Sequence, residues 1–229
     1  MKKRYSKKLT IIAGCALVLA STITACKKYL DVEPQGQITE NQIANDPNAA
    51  RNLVTGIYNV FYIGGFSPDI TSLQFVVMTD IASDDADKGS SPDDYADAKQ
   101  IDNLQTSASN GIVNNVWTGH YQGIARANQA LDKLQNAQFD AATKNALIGE
   151  ARFLRAYFYF NLVRLYGGVP LLDKLPLASE ANEDKYQTRA TADDIYKFII
   201  SDLDFAAANL PEKGVIEAGR ATKGAAQGL

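Results

Sequence analysis

The strongest pattern of apolar and polar positions lies in Glu150 to Pro170, EARFLRAYFYFNLVRLYGGVP. At 100° per residue, Ala151, Leu154, Phe158, Leu162 and Leu165 fall on one stripe, and Phe153, Tyr157 and Phe160 on a nearly opposite one. A helix that is apolar on two sides is packed on two sides, so neighbouring helices are expected to sandwich it. The pattern stops at Gly167-Gly168, where a left-handed C-cap costs glycine little, and Pro170 forbids resumption. Asp140 reads as the N-cap, which makes the helix about 25 residues long, or nearly 40 Å.

Other helices can be read around it. Trp117, Tyr121, Ile124, Asn128 and Leu131 recur at helical spacing on one face of a helix that starts at about Val113. The short link Asn136 to Phe139 forces this helix and the next antiparallel. Asn45-Asp46-Pro47 supplies an N-cap and a first-turn proline for a helix carrying Ala50, Leu53, Val54, Ile57, Tyr58 and Phe61, ending near Gly64-Gly65. Thr191 and Asp194 resemble a capping box. The helix behind them turns Ile195, Phe198, Ile199, Leu203, Ala206 and Leu210 inward and Asp193, Lys197, Ser201 and Asp204 outward, so it is peripheral. Thr222 caps a last helix of barely a turn, too short to stand alone.

Two stretches break the helical rhythm. Between Phe66 and about Asn110, Gly, Ser, Pro and Asp accumulate around an apolar island at Leu73 to Met78, which predicts a long loop-rich excursion. Residues 171–187 read as an irregular polar surface crossing. The fold class is therefore mainly α, in one domain from residue 45 to 229.

The N-terminus carries a different message. A basic segment ends at Lys8, an apolar run extends from Leu9 to Ala20, and STITA precedes Cys26. This is the order of a secretory signal over residues 1–25, too short for a comfortable membrane span. Ile23-Thr24-Ala25-Cys26 looks like a lipobox, which makes Cys26 the expected lipid anchor; Cys15 has too few apolar residues before it. A disulfide or an ordinary thiol are the alternatives, but a lone cysteine left in a secreted chain is usually modified or paired. Residues 26–44 then form an extended tether, polar and with few apolar residues to bury.

Loss of the leader removes five basic residues and no acidic one, which changes the net charge from −3 to −8. An acidic chain without a basic stripe has no means of displacing phosphate counterions, so a nucleic-acid partner is set aside.

Four stretches in order, CKKYLDVEP, WTGHYQGIARANQAL, EARFLRAYFYFNLVRLYGGVPLL and GRATKGAA, resemble the SusD/RagB family of outer-membrane nutrient-binding lipoproteins. The resemblance implies tetratricopeptide-like helical hairpins, display at the cell surface, capture of an oligosaccharide or other nutrient, and delivery to a TonB-dependent SusC-like transporter, without chemistry. Members of that family are about twice this length, so the scaffold is expected to be incomplete at its C-terminus, as a fragment or a truncated product without later hairpins.

Candidate chemistry is sparse. His120 is the one histidine and lies off the Trp117 stripe, so it reads as solvated rather than as a general base or metal ligand. Ser83-Asp84-Asp85-Ala86-Asp87-Lys88-Gly89 lacks the alternating ligands and closing glutamate of a calcium loop and reads as a solvated acidic loop. No cofactor and no metal are expected, and the chain is not expected to be an enzyme. Trp117 and Asn128 read as structural. Tyr62, Phe66 and Tyr95 are the ligand candidates, because no helical pattern pins them and Asp69 and Asp93 are near in sequence; flat rings with hydrogen-bonding neighbours suit sugar faces. Arg155 and Asp202 each project into an apolar stripe, so Arg155 or Arg152 is expected to pair with an acid across a helix interface, Asp202 being one candidate. The alternative is that Arg155 snorkels to water. A tetratricopeptide-like protein-interaction scaffold without a small-molecule site is the competing function.

Overall fold

A computed structural model describes residues 38–63, 68–91 and 93–229, and every regular element among them is helical. In chain order these are α1 (Glu40–Asn45), α2 (Pro47–Tyr58) running into a 3-10 turn (Asn59–Tyr62), α3 (Leu73–Val76) running into a π turn (Val77–Ile81), α4 (Ala96–Asp102), α5 (Gly111–Gln135), α6 (Ala141–Tyr166), α7 (Asp184–Gln187), α8 (Ala192–Asn209) and α9 (Lys223–Gly228).

Helix α6 is the long apolar stretch. Asp140 accepts from the Thr143 N–H at 2.8 Å, and Gly167 donates its N–H to the Val163 carbonyl at 3.0 Å. Gly167 sits at φ +71°, ψ −137°, so the expected left-handed cap is corrected to a positive-φ extended one, which also favours glycine. The helix packs against α5, α8 and α2. Ala151, Leu154, Phe158 and Leu162 are buried, while Phe153, Tyr157 and Phe160 are half-buried on the other stripe. Tyr159 fills a third direction, edge-on to Phe198 of α8 at 5.5 Å. Three neighbours around one helix explain why its apolar residues go nearly all the way round.

Helix α5 corrects the one-stripe reading. Besides the Trp117 to Leu131 face, it buries Ile112, Val116, Gly123, Ala127, Ala130 and Leu134 on a second face. Gly119 and Gly123, one turn apart, let that face come close: a Cβ at Gly123 would lie 2.5 Å from the Phe158 ring, and one at Gly119 2.7 Å from Ile70. His120 lies beside them and is fully buried, between the rings of Phe75 (6.1 Å) and Phe158 (6.3 Å). The solvated-histidine reading is thus overturned, because α3 covers the side of α5 that the stripe left open.

Helix α8 follows its pattern, with Asp194 N–H donating to Thr191 Oγ1 at 3.2 Å and Ile195, Ile199, Ala206 and Leu210 buried. Thr222 caps α9 through the Ala225 N–H, and Ala206, Leu210, Ala221 and Ala226 close a second small core.

Three further readings are corrected. Residues 40–44 are not extended tether, since α1 begins at Glu40, buries Ile43 and packs on α2 and α5, and residues 26–37 lie outside the described residues. Helix α2 stops at Tyr58 and tightens into the 3-10 turn, and Gly64-Gly65 lie outside the described residues. The excursion is partly helical: α3, the π turn and α4 gather Val77, Ala98 and Ile101 against Ile112 of α5.

Candidate binding clefts

The 3-10 turn after α2 separates two adjacent aromatic residues. Phe61 goes inward, stacked on Phe158 at 5.5 Å and edge-on to Tyr157 at 5.4 Å, whereas Tyr62 is 87% exposed. Tyr62 stands at the rim of a groove of about 680 Å³ between the end of α2, the Phe153–Tyr157 side of α6, and residues 217–225. Thr55, Tyr58 and Arg220 of that groove belong to an ionic cluster centred on the buried Glu150. Glu150 accepts from Tyr58 Oη at 2.5 Å and from Arg220 Nη2 at 2.8 Å, while Arg220 Nη1 donates to Thr55 Oγ1 at 3.0 Å. Tyr58 Oη in turn accepts the Ala221 N–H at 2.9 Å. Burial and the adjacent Glu150 carboxylate push the Tyr58 phenol far up, so it remains a protonated donor at neutral pH. This cluster ties α2, α6 and the start of α9 together. It escaped the sequence reading because its bonded partners lie up to 165 residues apart and each looks ordinary in its own stretch.

A second cleft, of about 350 Å³, lies on the excursion and is lined by Asp93, Ala96, Lys99, Gln100, Asn103 and Gln105. It is rich in carboxamides and has no ring. Asn110, the N-cap of α5, bonds Gln100 Oε1 at 3.2 Å and the Asp97 carbonyl at 2.9 Å, and so fixes the floor of the cleft to the scaffold.

The ligand candidates are therefore dispersed. Tyr62 lines the first groove. Tyr95 is half-buried in a left-handed conformation (φ +44°) and packs against the small excursion core, lining neither cleft. Phe66 lies outside the described residues, as does Cys26. Asp93 lines the second cleft, but Asp69 is a buried structural cap, accepting from Thr71 N, Ser72 N, Ser72 Oγ and Gln74 N at 2.7–3.1 Å. Burial pushes the Asp69 carboxyl up, and these hydrogen bonds outweigh it and hold the group below its usual range.

Of the residues read as structural, Asn128, Arg152, Arg155 and Asp202 meet where α6 packs on α5 and α8. Arg155 Nε and Nη2 each donate to Asp202 at 2.8 Å, and Nη1 donates to Asn128 Oδ1 at 2.6 Å and the Asp173 carbonyl at 2.7 Å. Asn128 Nδ2 reaches the Leu172 carbonyl at 2.8 Å. Arg152 is longer, 3.9 Å from Asp202, and lies over the Phe205 ring. Trp117 packs on Tyr121 and Tyr166 at 4.9 and 5.0 Å. In the acidic loop, Lys88 pairs with Asp94 and bonds Ser90 and Ser91. No group of three His, Cys, Asp or Glu able to hold a metal, and no helix long and apolar enough to cross a membrane, occurs among the described residues.

The sequence model of a SusD-like family, described as "Starch-binding associating with outer membrane", matches residues 28–229. The chain belongs to the SusD/RagB family. A SusD-like protein of Bacteroides ovatus is 28% identical over all of this chain and 39% of its own length. A SusD-like crystal structure from Bacteroides fragilis superposes with a TM-score of 0.69 at 28% identity, covering 85% of this chain and 36% of that one. A laminarin-binding SusD-like protein gives a TM-score of 0.67 at 30% identity, over 79% of this chain and 38% of that one. This SusD-like chain thus spans under two fifths of the length of these relatives, and its hairpins are the tetratricopeptide-like helices of that fold.

Proposed function

We propose that this SusD-like protein is acylated at Cys26 after loss of residues 1–25, is displayed at the outer membrane, and captures a glycan that it passes to a TonB-dependent SusC-like transporter without transforming it. The observation that carries the reading is the shared scaffold with a laminarin-binding relative. The aromatic groove beside Tyr62 and the carboxamide cleft on the excursion supply the two surfaces a sugar needs, ring faces and directed hydrogen bonds. Calorimetric titration of the full chain with laminarin-derived and other oligosaccharides tests capture: saturable binding is expected, and none across the panel removes it. Labelling of cells with a palmitate probe tests the anchor, with incorporation expected for the parent chain and lost in Cys26→Ser.

One observation favours the scaffold reading in addition. Tyr196 and Ile200, one turn apart on the outer side of α8, are 39% and 56% exposed and offer a protein partner an apolar strip. Co-purification with the transporter that survives complete loss of sugar binding would give that reading precedence.

A further inference from the structure

The groove beside Tyr62 has a charge pattern that bears on the kind of sugar it takes, given the glycan reading on which this inference rests. Among the described residues that line it, Arg220 is the one cation, and it is spent: its side chain is 8% exposed, with Nη2 on Glu150 and Nη1 on Thr55. Glu150 balances it from a fully enclosed position. Glu217 remains at the rim, its side chain 71% exposed and 4.0 Å from Arg220 Nη1, so the groove shows a ligand a net negative edge. A uronate or sulfate brought there finds no open cation among the described lining residues, meets Glu217, and loses hydration without a compensating pair. A neutral pyranose meets no such cost. The open ring of Tyr62 offers its C–H face a stacking surface, and Asn59, exposed at the groove, offers its hydroxyls a carboxamide. The volume of about 680 Å³ suits a short oligosaccharide rather than a single sugar.

We infer that this groove binds neutral oligosaccharides and rejects anionic ones, with Tyr62 as the stacking platform and Glu217 as the residue that sets the discrimination. Calorimetry with length-matched neutral β-glucan oligosaccharides and oligogalacturonate, on the full chain and on Tyr62→Ala and Glu217→Gln, tests it. The neutral series is expected to bind saturably, with roughly a tenfold loss in Tyr62→Ala, about 1.4 kcal/mol. Glu217→Gln is expected to narrow the preference, raising affinity for oligogalacturonate relative to the neutral series. Equal affinity of the parent chain for both series overturns the selectivity and leaves glycan capture standing. Neutral binding indifferent to Tyr62→Ala moves the sugar out of this groove and overturns the assignment. Self-association in sedimentation that Tyr62→Ala abolishes would give the groove to a second copy, which also overturns it. Binding of neither series by a chain with intact helical circular dichroism defeats both this inference and the glycan reading.

Discussion

The scaffold of α5, α6 and α8 and the excursion between residues 68 and 110 are both helical, yet different forces hold them. In the scaffold, long helices bury continuous apolar faces against one another, and a buried ion pair, Arg155 with Asp202, locks α6 to α8. In the excursion α4 has seven residues and α3 with its π turn spans only Leu73 to Ile81, both too short to persist on propensity. Side-chain acceptors hold them instead: Asp69 gathers the amides of residues 71, 72 and 74, Asp97 accepts the Gly111 N–H at 3.0 Å, and Asn110 caps α5 while gripping α4. One region is secured by burial, the other by carboxylates and carboxamides, and each should fail in its own way.

The sharpest break on the scaffold side is Arg155→Met. It leaves Asp202, 2% exposed, without its bidentate partner, and Arg152 at 3.9 Å is too far to replace it. Breaking a buried pair from one side costs about 3–5 kcal/mol, whereas replacing both members by apolar residues is often neutral. Urea unfolding should show that loss in Arg155→Met and recovery of most of it in Arg155→Met with Asp202→Leu. A single-variant loss below about 1 kcal/mol would mean the pair does not lock the helices.

The same contrast decides what could be read from the chain. The α5–α6 hairpin, the caps at Asp140 and Thr191, and the stop at Gly167 follow from periodicity and local chemistry, which act within a few residues. The pairing of Arg155 was open to inference because a charge on an apolar stripe demands a partner. The excursion was opaque for the opposite reason: Asp97 and Gly111, or Asn110 and Gln100, meet only once the chain has turned. His120 was misread because its cover, Phe75, comes from that excursion. A signal was present in Gly119 and Gly123, whose spacing marks a second close-packed face on α5.

His120 sits where the two regions meet, so acid should act on their joint. Burial holds its pKa down to about 4, against an ordinary value near 6.5; the Arg164 charge adds to the depression, and the Val116 carbonyl, bonded to Nδ1 at 2.7 Å, opposes it. The folded state therefore keeps His120 neutral while the unfolded chain takes up a proton. Stability is complete above pH 6.5 and falls as the pH drops from 6.5 to 4, by on the order of 3 kcal/mol. Chemical denaturation across that range should show the slope, and His120→Phe should flatten it. An undiminished slope in the variant would assign the acid sensitivity elsewhere.

Asp69 tests the excursion alone. Asp69→Ala strips the acceptor from the amides of Ser72 and Gln74, at a cost of about 2 kcal/mol. Amide hydrogen exchange should quicken across residues 71–81 while that of α6 is unchanged. The carboxyl is held below its usual range, so its contribution is present above about pH 3.9 and fades as the pH falls through the lowered value. That window lies below most of the one set by His120, and the two losses separate on an acid titration.

Two glycines reduce the comparison to a single methyl group. Gly123 lies at the closest approach of α5 to α6, where a Cβ would stand 2.5 Å from the aromatic edge of Phe158, a ring also hemmed in by Phe61 and Tyr157. Gly123→Ala is expected to destabilise by about 1–3 kcal/mol through overpacking. Gly56 lies inside α2 with no atom within 4 Å of the position its Cβ would take, and its carbonyl accepts from Arg126 Nη1 at 2.9 Å, a bond that alanine leaves in place. Gly56→Ala should therefore stabilise, by about 0.5–1 kcal/mol, through the entropy it removes from the unfolded chain. Thermal melts of the two variants should move in opposite directions. If both fell, α2 would have to meet a neighbour at Gly56 that its open flank does not show; if both rose, Phe158 would have to move aside at no cost, and the α5–α6 interface could not be the close-packed seam on which the scaffold depends.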